Sequence, residues 1–244
     1  MSRLLPILTV VFVACTASEP HSVTLVASSL SGVVQSFADA RANTLVISGA
    51  SDALLWQLEQ GAPAVVFITA DEEPLGELGA LALESQVLVC DEVAIWTSEP
   101  MQDSEVSVVV RSARRFGLAE PDVPLGRRTD EVLLRLLASG HDEIVESIES
   151  RAVSRDASAR QLASRVRLGE VDAAIGYRSM AERLDGLYEV ALPEAARVPV
   201  AYHLVLLEDS AEGRAVYEGL LGHFETPERF GLRAPIDGRC EFAL

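Results

Sequence analysis

The sequence contains no lysine, since all 20 of its basic residues are arginine. This absence excludes three kinds of site that depend on a lysine amine: the phosphate-binding P-loop, the Schiff base and the serine–lysine dyad. The GxSxG and HExxH motifs are missing as well. Carboxylates are abundant, but groups such as 71–73 and 143–149 lie on predicted helices, where a solvated face explains them. We therefore do not expect an enzyme.

Cysteine and histidine are also scarce. The three cysteines form no CxxC pair, and the four histidines (His21, His141, His203 and His223) are scattered without HxxxH spacing. No metal site is predicted from these residues. Cys90 lies in an apolar run, and in an oxidising compartment it could either pair with Cys240 or remain a buried thiol. The sequence leaves both alternatives open.

The charge balance is strongly acidic, with a formal net charge of −17 at pH 7. Nucleic acids and anionic membranes favour clustered Lys and Arg, so neither is expected as a direct partner. A hydrophobic content of 49% is that of an ordinary globular protein. The length allows one large domain or two small ones.

The N-terminus has the pattern of a secretory signal. Met1 to Arg3 precede an apolar run from Leu4 to Ala14, which is too short to span a bilayer. The segment 12–15 resembles the lipobox of bacterial lipoproteins, in which cleavage leaves Cys15 for acylation. A plain signal peptide cut a few residues later is the alternative. We expect residues 1–20 to be a leader and short linker, and the exported protein to be lipid-anchored in the periplasm through Cys15.

Strand-like and helix-like stretches alternate through the rest of the chain. This alternation predicts a parallel sheet covered by helices on both faces. The apolar run from Ser85 to Trp96 is longer than the other strand-like runs. It is predicted to be a strand that passes from one lobe of the protein to a second lobe. The predicted strands are 23–27, 45–47, 65–68, 85–96, 106–110, 173–177, 187–192 and 200–207. Six helices are predicted. The first follows Ser29, the second has a serine cap at Ser51, and the third begins near 70–73. The other three cover about 128–138, 158–168 and 211–224.

Three strand-to-helix junctions are predicted at 28–29, 51 and 124–126, with serines at the first two, and a fourth helix is predicted to begin near 157–159. In an open α/β sheet, ligands bind beyond the carboxyl ends of the strands, where helix N-termini offer unpaired N–H groups and partial positive charge. A single serine at such a place is also an ordinary helix cap. Several of them facing one point would bind an anion without any basic side chain.

The segments VTLVASSL (23–30), SGAS (48–51), QLEQGAP (57–63) and VFITAD (66–71) resemble the N-terminal lobe of the periplasmic molybdate-binding proteins of ABC transporters. The likeness continues in LAEPDVPLGR (118–127), ARQL (159–162), GEVDAAIGYR (169–178) and ERFGL (228–232). It covers nearly the whole exported chain, and the order and spacing of the segments carry it.

The resemblance implies the α/β fold of a type II periplasmic binding protein, with two lobes that each contain a mainly parallel sheet flanked by helices. Lobe I would comprise residues 21–92 and 200–244, and lobe II residues 93–199. The ligand would lie in the cleft between them. It further implies that the protein is a monomer and has no cofactor. Its function would be to bind molybdate or tungstate and deliver it to an ABC permease.

The resemblance also implies a ligand site. The donors would be the hydroxyl and N–H groups of Ser29 and Ser51, the backbone N–H groups of Leu125 and Ala159, and the hydroxyl of Tyr177. Asp52 directly follows the second serine, and a carboxylate beside a dianion is unfavourable unless it faces away.

Other readings stay open from the sequence. The ligand could be another tetrahedral oxyanion or a small organic acid. The chain could also be a lobe of a signalling receptor, whose closed form is bound by a partner protein and not by a permease. An esterase-like enzyme using Ser51 is a third alternative, but it lacks a histidine nearby in the sequence.

Overall fold

The computed structural model of the protein describes residues 22–41, 43–101 and 105–241. The predicted leader, with Cys15, and His21 lie outside the described residues. Within the described ranges, no helix combines the length and hydropathy needed to cross a membrane.

One mixed sheet runs through the molecule, in the order β2-β1-β3-β9-β4-β7-β5-β6, with β8 paired to β4. Its strands are β1 Ser22–Ala27, β2 Thr44–Gly49, β3 Val66–Thr69, β4 Glu84–Thr97, β5 Phe116–Ala119, β6 Ala152–Asp156, β7 Ala173–Tyr177, β8 Tyr188–Val190 and β9 Pro199–Leu206. The pairs within β1–β3 and within β5–β7 are parallel, whereas β4 and β9 pair antiparallel with their neighbours. The sheet therefore has a first half around β1–β3 and a second half around β5–β7.

Helices flank both halves of this sheet, and the α/β fold class is confirmed. They are α1 Ser31–Asp39, α2 Ser51–Glu59, α3 Glu73–Leu78, α4 Val106–Ser112, α5 Pro124–Ala138, α6 Asp142–Ser150, α7 Ala159–Arg167, α8 Arg178–Arg183 and α9 Ala211–His223. Short 3-10 helices cover Ser28–Leu30, Gly79–Leu81, Glu194–Ala196 and Pro227–Phe230.

Strand β4 connects the two halves, as its unusual length predicted. It pairs with β9 as far as Glu92 and with β7 from Val93 onward. All of its residues from Leu88 to Thr97 are buried, because the strand lies in the middle of the sheet with helices on both faces. This explains its long apolar run without alternation.

The predicted strand at 106–110 is wrong, because this segment forms helix α4. Its β-branched residues favour a strand, but Val106, Val109 and Val110 are buried while Val108 is 44% exposed. Burial at i, i+3 and i+4 is the helical period, and packing against the sheet overrides the local propensity.

Two strands were not predicted, β5 and β6. The first has four residues inside a segment interpreted as a loop, and the second is an edge strand whose burial alternates. Helix α5 also begins at Pro124, four residues before the predicted start, because proline suits the first helical position.

A disulfide joins Cys90 on β4 to Cys240, with the two Cα atoms 5.4 Å apart. The structure thus decides between the two alternatives left open for these cysteines. The segment before Cys240 lies along β4, where the N–H of Cys90 donates to the carbonyl of Arg233 at 2.8 Å. The bond ties the C-terminal segment to the strand that connects the two halves.

Candidate anion-binding site

All five residues predicted to hold the ligand line one small cavity between the two halves of the sheet. The volume open to the centre of a water-sized sphere is about 20 Å³, slightly above the roughly 10–15 Å³ that one water needs. The lining consists of Ala27, Ser28, Ser29, Gly49, Ala50, Ser51, Ala70, Val123, Pro124, Leu125, Ala157, Ser158, Ala159 and Tyr177. The cavity therefore suits a compact ligand.

Each of the five residues lies at the carboxyl end of a different strand. Ser29 follows β1, Ser51 follows β2, Leu125 follows β5, Ala159 follows β6, and Tyr177 is the last residue of β7. These five strands belong to the two parallel sets, so their carboxyl ends converge from both halves on one point. This is where ligands bind in open α/β sheets.

Three helices begin at the cavity. Ser51 is the first residue of α2, Leu125 the second of α5, and Ala159 the first of α7. The first N–H groups of a helix have no acceptor within the helix and carry partial positive charge. Pro124 has no N–H, so the amide of Leu125 is the first that α5 offers.

The predicted cap at Ser51 is wrong, and its hydroxyl has another role. The N-cap of α2 is Ala50, which makes no side-chain capping bond. The Oγ of Ser51 instead accepts the N–H of Ala70 at 3.2 Å. Because an amide N–H can only donate, the hydroxyl hydrogen of Ser51 remains available to another acceptor.

Ser29 is held by a residue that the sequence reasoning missed. The hydroxyl of Tyr202 on β9 donates to the Oγ of Ser29 at 2.8 Å. This leaves the Ser29 hydrogen free to donate in turn. A tyrosine within an apolar strand has the pattern of an ordinary core residue, so no local signal marks this role.

Tyr177 brings a neutral donor to the cavity. The residue is 2% exposed, and within the described part of the chain its hydroxyl has no hydrogen-bond partner. Burial, together with the charges of Asp71 and Asp91, raises the pKa of this phenol. The hydroxyl therefore keeps its proton, and an anion in the cavity would supply the acceptor that it lacks.

The family model for bacterial extracellular solute-binding proteins matches residues 26–221. The chain belongs to this family.

Solved structures share the fold of this solute-binding protein. The periplasmic molybdate-binding protein of Azotobacter vinelandii has a TM-score of 0.71 and 20% identity, with 88% of this chain and 100% of that chain covered. The sulfate-binding protein SubI of Mycobacterium tuberculosis has a TM-score of 0.65 and 16% identity, with 87% and 86% covered. AfuA of Actinobacillus pleuropneumoniae, solved with fructose-6-phosphate, has a TM-score of 0.60 and 13% identity, with 86% and 82% covered. Comparison with curated protein sequences gives no match.

The lining of the cavity in this solute-binding protein contains no carboxylate and no basic side chain. Asp52 in particular does not line it. Its carboxylate lies 3.2 Å from the guanidinium of Arg127, so it faces away from the position of a ligand. The bulky side chain of Leu125 is 2% exposed and packs in the hydrophobic core.

Ion pairs join the two halves beside the cavity. Asp71, which follows β3, pairs with Arg127 at 2.9 Å and with Arg128 at 3.2 Å, both on α5. Glu73 also pairs with Arg127, at 3.0 Å. We call these contacts, together with Asp52–Arg127, the cleft ion pairs. They pair the carboxylates of Asp52, Asp71 and Glu73 with arginine, and none of these charged side chains lines the cavity.

A metal ion has no evident place in the described residues, because no three histidine, cysteine, aspartate or glutamate side chains come together there. The described histidines are dispersed: His203 lies 3.8 Å from Glu72, and His223 packs against Phe37. No histidine lines the cavity.

Proposed function

We propose that this solute-binding protein captures a tetrahedral oxyanion, molybdate or tungstate, in the cavity and delivers it to an ABC permease. The observation that carries the proposal is the set of neutral donors around a compact space. The hydroxyls of Ser29, Ser51 and Tyr177 and the helix amides of Leu125 and Ala159 come from five strand ends.

The number of donors is sufficient for tight binding. A hydrogen bond to a charged group contributes roughly 1.5–3 kcal/mol net, so about half a dozen contribute on the order of 10 kcal/mol before the cost of closing the lobes. Micromolar to nanomolar affinities correspond to about 8–12 kcal/mol. A lysine or arginine in the cavity is not required.

The same donors favour a fully deprotonated ligand. No carboxylate lines the cavity to accept a ligand O–H group, and the Oγ of Ser51 already accepts an N–H. A protonated oxyanion would bury its hydroxyl without a good partner, which costs free energy. Molybdate and tungstate are dianions at neutral pH, whereas phosphate is partly protonated.

Comparison supports the ligand class. Three structural neighbours are a molybdate-binding protein, a sulfate-binding protein and a protein solved with fructose-6-phosphate, and these three ligands share a tetrahedral oxyanion group. The choice of molybdate within this class rests on the sequence resemblance around the five site residues. The small cavity volume also favours an inorganic anion over a sugar phosphate.

We further propose lobe boundaries after residues 92 and 199, since β4 changes partner from β9 to β7 between Glu92 and Val93. Closure of the lobes would form the cavity and the cleft ion pairs together.

The protein would act as a periplasmic monomer, anchored through a lipid on Cys15, and not as an enzyme. In support of the last point, no histidine among the described residues hydrogen-bonds Ser51 or lines the cavity, so a serine nucleophile would lack its base.

The test is a thermal-shift and calorimetric titration with molybdate, tungstate, sulfate and phosphate. A ligand at about 100 times its Kd stabilises the native state by about 2.7 kcal/mol, so molybdate and tungstate should raise the melting temperature clearly. Sulfate binding without molybdate binding would keep the oxyanion class and reject molybdate. If none of the four anions binds, the oxyanion proposal is wrong.

A further inference from the structure

A second, larger groove lies beside the cavity and shares only Ser28 and Ser29 with it. Its volume is about 350 Å³, within the range of about 300–1,000 Å³ that is usual for small-molecule pockets. Helix α1 forms one wall with Ser31, Gly32, Val33 and Ser36. The other wall is formed by Arg160 of α7 and by Met180, Arg183 and Leu184 in and after α8, and Phe230 closes one end.

The charge of this groove is opposite to that of the whole protein. Its lining has two arginines and no carboxylate, in a chain whose formal net charge is −17. The remaining lining is hydroxyl-bearing or apolar. Arginine presents a planar fork of donors that matches a carboxylate.

Arg183 carries a charge that its surroundings compensate only in part. Its Nη2 donates to the carbonyl of Ser29 at 2.8 Å and to the Oγ of Ser179 at 3.1 Å. Its Nη1 is buried without a hydrogen-bond partner, and no carboxylate of the described residues lies within ion-pair distance. Burial lowers the pKa of Arg183, as expected for a desolvated cation. An anion in the groove would offset this cost.

Arg160 adds a second donor at the same groove. Its Nη1 donates to the Oγ of Ser31 at 3.2 Å. Across the described chain, Arg160 makes no ion pair with a carboxylate. Arg160 therefore has donors to spare beside an apolar surface made by Val33, Met180, Leu184 and Phe230, and Arg183 contributes its partly compensated positive charge to the same groove.

We propose that this groove is a second ligand site, which binds a small organic monocarboxylate with an apolar body. The carboxylate would lie against Arg160 and Arg183, and the body against Val33, Met180, Leu184 and Phe230. The proposal goes beyond oxyanion capture and does not depend on it, because the two sites share only the Ser28–Ser29 backbone segment. A benzene-sized body fits, since an apolar cavity of about 150 Å³ already takes benzene.

The test is a calorimetric titration with benzoate and with its neutral analogue benzamide. Benzoate should bind about tenfold or more tightly than benzamide, because only benzoate gains charge-assisted hydrogen bonds. Arg160→Gln should weaken benzoate binding by about tenfold and leave benzamide binding nearly unchanged. Equal binding of the two compounds would overturn the proposal, and so would no binding of either.

A variant that fills the groove tests whether benzoate binds there. A Cβ added at Gly32 meets no atom within 4 Å, so Gly32→Phe should fill the groove without disturbing the fold, and benzoate binding should be lost. The matched control is Gly222→Phe on α9, where an added Cβ also meets no atom within 4 Å; it should bind benzoate as the parent protein does. Unchanged benzoate binding in Gly32→Phe, or displacement of benzoate by molybdate, would place the carboxylate outside the groove and overturn the proposal. Should Gly32→Phe fail to fold, the Arg160→Gln result decides.

Discussion

The carboxylate of Asp52 on α2 lies 3.2 Å from the guanidinium of Arg127 on α5. This contact joins the two halves of the sheet across the cleft. It turns the one carboxylate that follows Ser51 away from the cavity. A residue that seemed incompatible with a dianionic ligand is therefore part of the ion pairs that join the two halves of the sheet beside the cavity.

The cleft ion pairs should contribute to ligand affinity according to their burial. The side chain of Asp71 is 9% exposed and that of Asp52 is 35% exposed. Removing the more buried charge leaves Arg127 and Arg128 with fewer partners in the closed form. We expect Asp71→Asn to weaken oxyanion binding about tenfold and Asp52→Asn about threefold. Calorimetry at low and high salt measures both effects, and salt should reduce the smaller one further.

A control for these variants is Asp209→Asn, which removes an exposed ion pair with Arg214 far from the cavity. Its oxyanion affinity should equal that of the parent protein. A larger loss in Asp52→Asn than in Asp71→Asn would contradict the role assigned to burial.

The free hydroxyl of Tyr177 should be a direct ligand donor. We expect Tyr177→Phe to weaken oxyanion binding by about 1.5–3 kcal/mol, because the variant loses one hydrogen bond to a charged acceptor. The fold should persist, since the lost hydroxyl has no protein partner. The control is Tyr217→Phe, another buried tyrosine, whose hydroxyl accepts from Gln86. Equal affinity of Tyr177→Phe and the parent protein would remove Tyr177 from the site.

The backbone amide of Ala159 can be deleted without removing a side chain. Ala159 is the first residue of α7, and the preceding Ser158 is extended, with φ −156° and ψ 151°. Proline is well tolerated at this helical position. We expect Ala159→Pro to abolish measurable oxyanion binding, because it removes the N–H and places a ring carbon there instead. A titration monitored by thermal shift is sufficient.

A matched variant is Ala211→Pro, at the first position of α9, which also follows a serine cap in an extended conformation. It should fold and bind the oxyanion normally. Parallel loss of binding in both variants would indicate a general effect of proline and not the loss of a ligand donor.

The disulfide should stabilise the whole molecule. Cys90 and Cys240 are 150 residues apart, and the loss of a native disulfide typically costs about 2–5 kcal/mol. We expect Cys240→Ala to lower the free energy of unfolding by this amount in urea denaturation. A reductant should destabilise the parent protein similarly and have no further effect on Cys240→Ala. Equal sensitivity of both proteins to the reductant would show that the bond is not the cause.

Asp91 on β4 should make stability depend on pH. Burial raises the pKa of its carboxyl from 3.8 to about 6. The folded state then binds the proton more tightly than the unfolded state, so this contribution to stability is complete below pH 3.8 and is lost as the pH rises through about 6.

The comparison with Asp91→Asn isolates this effect. As the pH falls from about 7 to about 4, the free energy of unfolding of the parent protein should gain about 2 kcal/mol relative to the variant. Urea denaturation at several pH values measures it. The assignment would be contradicted if the difference in free energy of unfolding between the parent protein and Asp91→Asn stayed constant with pH. It would also be contradicted if acidification stabilised the variant relative to the parent protein.

The positions of several cavity-lining residues carry local signals, whereas their assignment to one ligand site came from the family resemblance. Hydrophobic periodicity within a few residues indicates that Ser29 and Ser51 follow strands and lie at helix starts, and that a helix begins near Ala159, although the strand before Ala159 was not predicted. Failures occurred where packing overrides local preference. The valines of α4 favour a strand by type, but burial on one face makes them helical, and the four-residue strand β5 is too short to give a periodic signal.

The sequence by itself determined the alternation of strands and helices, the absence of lysine chemistry, and the position of small hydroxyl and amide donors at strand ends. These properties depend on neighbours within a turn of helix or a few strand residues. Tertiary structure decided the direction of Asp52, the support of Ser29 by Tyr202, the pairing of Cys90 with Cys240 and the groove at Arg160 and Arg183. Each of these joins residues that are distant in the chain, and only the packing of the two halves of the sheet brings their side chains within reach.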